Sequence, residues 1–256
     1  MAKLFIFNFI LIAIIALALW CVKKFARCER VQGIILICAA LATVLFHYSS
    51  FFYHCFVGTG GEYLGENPNL ILPIYPCNLV MWICVIFAFC RNKKSKTAAF
   101  LADYIFWFGL ISALVGMFAN VDFIRNPTLT DYEITKSIAA HATMLFNILL
   151  LPLFGFVKVE MIRNMRHIIM SILLMLVTGF YCNLVFWVLV SEEAEYDVNS
   201  MFLLHSPFDG ADFLTYPVIA LIAIPIYLLL FTVCEMFAYK KGERFYNRIY
   251  RRYKGK

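Results

Sequence analysis

The chain has 256 residues, 63% of them hydrophobic and only 15% charged, against about half and a quarter in a soluble domain. Its formal net charge of +6 is not a nucleic-acid signal, because the bases lie between long apolar runs. The composition excludes a soluble domain and points to an all-α polytopic membrane protein, since unpaired strand edges cannot face lipid.

A bilayer core of ~30 Å needs about 20 apolar residues in helical form. In chain order, spans are predicted near 4–22, 32–56, 72–90, 98–119, 137–157, 167–190 and 216–239. The first lies in MAKLFIFNFILIAIIALALWCVKK. Its basic end follows the apolar run and no small-x-small cleavage site is evident, so it reads as a retained helix and not a signal peptide. The longest loop has about 25 residues, which leaves no room for a soluble domain by ordinary domain size. The predicted organisation is one seven-helix transmembrane domain over 1–256, with a short basic tail at 240–256.

The loops alternate in charge. Lys23, Lys24, Arg27 and Arg30 follow the first span; Arg91, Lys93, Lys94 and Lys96 follow the third; Lys158, Arg163 and Arg166 follow the fifth. With eight bases in the tail, these segments hold 19 of the 22 Lys and Arg. The sixth loop carries Glu192, Glu193, Glu195, Asp197, Asp209 and Asp212 and no base. Cytoplasmic loops retain Lys and Arg, so the odd loops and the C-terminus are expected inside and the N-terminus outside. The tail RFYNRIYRRYKGK reads as an interfacial amphipathic segment on anionic lipid.

Function in such a bundle is sought among its polar and ionisable residues. His47, His54, His141 and His205 fall in the outer half or an outer loop, whereas His167 sits beside Arg166 at an inner helix start. The nine cysteines show no metal-type pairing, so neither metal nor other cofactor is implied. Cys77 stands out by its context, LPIYPCNLV. Pro73 and Pro76 precede it, and proline suits a first helical turn. Cys77 then lies near free backbone N–H groups and the positive end of the helix dipole, a site that favours a thiolate or an oxyanion.

A nucleophile needs a base within reach. His141, in KSIAAHATMLFN, is the best candidate: if its helix starts near Ser137, it lies about one turn, ~6 Å, below the start. Ala139, Ala140 and Ala142 permit close helix approach there. Asn78 adjoins the cysteine, and Asn183 is a candidate to orient the imidazole. His54, Asn199 and His205 are further candidates for substrate contact. Gly109, Gly116, Gly155 and Gly179 read as packing glycines. Asp103 and Glu235, near inner helix ends, read as paired with bases or reaching water.

Three elements resemble the YwaF family of integral membrane proteins. They are LPIYPC at 72–77, AHATML at 140–145 and NSMFLLHSP at 199–207, the last against a pattern like N-Y-M-F-L-x-x-K-P. Their order and spacing agree over most of 31–239. The chain departs from the pattern at Ser200 and Ser206, and in having Thr135, Lys136 and Ser137 ahead of the A-H pair. The resemblance implies an activity, since an animal relative is regarded as a cysteine-dependent phospholipid acyltransferase. There the first motif's cysteine accepts the acyl chain and the second motif's histidine is its base; these fall on Cys77 and His141. The expected partners are membrane phospholipids and lysophospholipids, with no nucleic acid and a homo-oligomer left open. The expected location is a bacterial plasma membrane with the site facing outward. The residues leave a second class open, a small-molecule transporter or substrate-binding membrane component without covalent chemistry, and a third, a seven-helix sensor.

Overall fold

The computed structural model describes residues 2–118, 128–190, 198–204, 206, 213 and 215–254. Among them it is all-helical, with α1 at Ala2–Phe25, α2 at Glu29–Phe56, α3 at Gly60–Glu66, α4 at Pro76–Phe89, α5 at Lys96–Phe118 and α6 at Tyr132–Leu153. Then come α7 at Met161–Val190, α8 at Tyr216–Ala238 and α9 at Phe245–Lys254. Six of these, α1, α2, α5, α6, α7 and α8, are long and apolar enough to cross a membrane. The third predicted span is shorter than expected: α4 has 14 residues. It rises only ~21 Å, and residues 68–70 form a separate 3-10 turn ahead of it.

The chain divides into two compact units, residues 1–157 and 158–256. In the first, α6 packs against α1, α2 and α5, while α4 lies against α2 and α5. Close approach is set by Gly109 of α5. A Cβ there would stand 2.9 Å from both Val80 of α4 and Ile148 of α6. α1 is tied in by a buried polar contact: Asn8, 1% exposed, donates to the carbonyl of Met117 at 2.5 Å. That carbonyl lies in the last turn of α5, where helix acceptors lack an intrahelical donor.

The ends of α6 differ from the sequence reading. The helix begins at Tyr132, five residues before Ser137, because Asp131 caps it; its carboxylate accepts from the N–H groups of Glu133 and Ile134 at 2.9 and 3.4 Å. Hydropathy marks where a helix enters lipid, whereas the cap marks where it starts. At the other end Gly155 is not a packing residue. Its φ is +76° and nothing would meet a Cβ there. Its N–H reaches the carbonyl of Pro152 and that of Phe156 reaches Leu151, the paired bonds of a glycine-terminated helix.

In the second unit α7 packs against α8 and against the 3-10 turn at 200–202. Asn183 of α7 clamps that turn, accepting from the Ser200 N–H at 2.8 Å and donating to its carbonyl at 3.5 Å. Met201 and Phe202 both have left-handed φ, 54° and 57°. Gly179 makes room for them, since a Cβ there would lie 2.8 Å from Met201 and Leu203. The tail is tied to its own unit. Arg244 donates to the carbonyls of Met236 and Tyr239 at the end of α8, and Arg248 pairs with Glu235, whose side chain is 1% exposed.

Candidate active site

α4 starts as its prolines predict. Tyr75 is extended at the N-cap, Pro76 is the first helical residue and Cys77 the second. The N–H groups of Asn78 and Leu79 both return to the Tyr75 carbonyl, at 3.0 and 3.3 Å. The Cys77 sulfur faces its own backbone N–H and that of Asn78. Its thiol points to the Asn78 side-chain oxygen at 3.9 Å, a long and weak sulfur contact.

His141 stands nine residues into α6, about 13.5 Å along the axis, deeper than the single turn expected. One ring nitrogen, Nδ1, lies 2.7 Å from the carbonyl of Ser137. A carbonyl only accepts, so Nδ1 carries a proton, and in the neutral ring Nε2 keeps the lone pair that a general base requires. The ring edge bearing Nε2 rests on Gly116 of α5: a Cβ there would stand 2.1 Å from Nε2 and Cδ2.

These groups meet. Cys77, Asn78 and Met81 of α4, Ala140, His141 and Met144 of α6, and Thr43 of α2 line one cleft. Its volume of about 20 Å³ suffices for one water and not for an ester. Met81 and Met144 are the walls most able to yield, being unbranched and flexible.

α2 contributes more than the sequence reading assigned to it. Thr43, His47 and Ser50 follow at i, i+4 and i+7, one face of a helix. His47 Nε2 lies 3.2 Å from Asn78 Nδ2, which joins it to the Cys77 neighbourhood. Neither His47 nor Gly116 was selected as a site residue. The stripe on α2 was the available signal for the first; nothing local marks the second, because its partner is 25 positions away on another helix.

Above this cleft sits an ionic and aromatic cluster. Lys136 pairs with Glu133 at 2.5 Å, and Tyr63 donates to the same carboxylate at 3.2 Å. His54 stacks on Tyr63 with ring centroids 4.0 Å apart and shares a hydrogen bond with Thr59. His54 therefore belongs to this cluster and does not line the cleft. Asn183 is engaged with Ser200, not with an imidazole, and Asn199 accepts from the Leu204 N–H at 2.9 Å. His205 lies outside the described residues. All nine cysteines are free, and among the described residues no group of His, Cys, Asp or Glu could hold a metal ion.

Six apolar helices of spanning length, with ionisable groups gathered inside a helical unit, define an all-α integral membrane protein. The model of the TMEM164 family, a family of membrane proteins, matches residues 1–235, and the chain belongs to that family. This is the family shown, where the three motifs had suggested YwaF. No curated protein and no solved structure matches the chain.

Proposed function

We propose that this protein is a membrane acyltransferase that moves a fatty acyl chain between phospholipid and lysophospholipid through a thioester on Cys77, with His141 as base. The observation that carries the reading is the shared cleft, with a cysteine in a first helical turn and a histidine whose Nδ1 faces the Ser137 carbonyl. Nε2 takes the thiol proton. The thiolate attacks an ester carbonyl, and the Cys77 N–H with the positive end of the α4 dipole stabilises the oxyanion. Collapse breaks the ester C–O bond, and the imidazolium returns its proton to the departing lysolipid oxygen. In the second half, His141 removes a proton from an acceptor hydroxyl, which attacks the thioester and releases the Cys77 thiolate.

In this reading α4 is a seventh, short span, the N-terminus and even loops face outward, and the site serves the outer leaflet. The charge alternation of the loops supports that orientation. The length of α4 supports the depth: it falls ~9 Å short of a ~30 Å core, so residues 67–75 cover the start of the helix. Non-helical backbone at that depth needs protein partners, and Tyr48 supplies one by donating to the Leu70 carbonyl at 2.8 Å.

Intact-protein mass after purification from membranes tests the proposal. A fatty-acyl increment that hydroxylamine removes and Cys77→Ala lacks is expected. An unmodified Cys77 after incubation with a range of phospholipids refutes the thioester and returns weight to a non-covalent binding or transport role.

A further inference from the structure

Building on the thioester reading, we propose that His47 is a positioning residue of this site, holding the Asn78 amide in one orientation and thereby aiming the Cys77 thiol. Asn78 is 4% exposed, so both ends of its side chain must find partners inside the protein. The oxygen end faces the Cys77 thiol at 3.9 Å and the nitrogen end faces His47 Nε2 at 3.2 Å. An amide nitrogen only donates, so Nε2 accepts and the imidazole is neutral with its proton on Nδ1. The backbone of Asn69 also approaches the ring.

The consequence is directional. An amide can turn by 180° and exchange its two ends. With His47 as acceptor, only one orientation satisfies the nitrogen, and the oxygen must then face sulfur. Removing the imidazole frees the amide to turn and offer N–H to the sulfur, or to swing out of the cleft. Two histidines then have different tasks: His141 exchanges the proton, and His47 acts through Asn78 without touching the reacting atoms.

Glutamine separates positioning from proton transfer. The Gln side-chain oxygen can occupy the place of Nε2 and accept from Asn78, but it does not titrate. The experiment uses the full-length protein in phospholipid vesicles with His47→Gln, His47→Ala and His47→Leu, the last filling the lost volume. Two rates are read by peptide mass mapping: alkylation of Cys77 by iodoacetamide, and appearance of hydroxylamine-labile acyl mass on Cys77. Expected are His47→Gln within roughly threefold of wild type in both, and His47→Ala and His47→Leu slower in acylation by at least about tenfold, the scale of a misaimed nucleophile. Their alkylation rates should change by several-fold. Loss in His47→Gln equal to that in His47→Ala overturns the proposal, because the imidazole itself is then required; wild-type rates in all three variants also overturn it. If wild type carries no acyl group, the acyltransferase reading has failed, and alkylation alone decides the positioning role by whether Gln and Leu differ.

Discussion

Gly116→Ala should disable the site without replacing either reacting residue. The added methyl would stand 2.1 Å from His141 Nε2 and Cδ2 and 2.6 Å from Cε1, where ordinary contact begins at 3.4 Å. Either the ring or the α5 backbone must move by about 1.3 Å. The ring is held by its 2.7 Å bond to the Ser137 carbonyl, so a shift of that size stretches the bond beyond hydrogen-bonding range. The lost bond costs about 1 kcal/mol and the crowding about 1–3 kcal/mol. A displacement near 1 Å at a reacting group lowers a rate by about 100-fold. Thermal unfolding in detergent and the rate of thioester formation are the assays. The control is the same substitution in a His141→Ala background, where the three atoms nearest the added methyl are gone; the stability loss should there fall below ~0.5 kcal/mol. Equal destabilisation in both backgrounds, together with an unchanged thioester rate, would refute the packing argument.

Further outcomes follow from the same contacts. Gly179→Val should lower stability by about 1–3 kcal/mol by overpacking the 200–202 turn, seen as a reduced melting temperature; the reference is Gly61→Val, where a Cβ meets nothing within 4 Å. Arg248→Ala leaves Glu235 buried without its partner. Because Arg248 is itself 40% exposed, the loss should be about 2 kcal/mol, below the range for fully buried pairs, and Glu235→Gln in that variant should recover most of it. Lys94→Ala should change the melting temperature by less than the measurement error, since Lys94 and Glu29 are 84% and 88% exposed and such pairs contribute little. Asn8→Leu should cost about 1 kcal/mol through its lost bond to Met117 and loosen α1, which limited proteolysis after Lys23 would report.

How much of this was legible beforehand differs between elements. Pro73 and Pro76 announced the start of α4 because proline acts through its own ring and missing N–H. Hydropathy places the start of α6 five residues late because Glu133, Thr135 and Lys136 make its first turn polar, and hydropathy does not register a helix that extends beyond lipid. The sequence context of Gly155 reads as packing although the residue ends a helix, a distinction that depends on the sign of φ.

By itself the sequence determined the helical class, the apolar runs and the singular contexts of Cys77 and His141, for these follow from transfer free energy and local backbone chemistry. Tertiary structure alone decided that the two share a cleft, that His141 rests on Gly116, and that Asn78 turns to His47. Those contacts join residues 25 to 64 positions apart on different helices. Helical periodicity says which face a side chain occupies, whereas its partner depends on how separate helices are rotated and staggered against each other. That arrangement is a property of the packed unit, where one added methyl at Gly109 or Gly116 would change it.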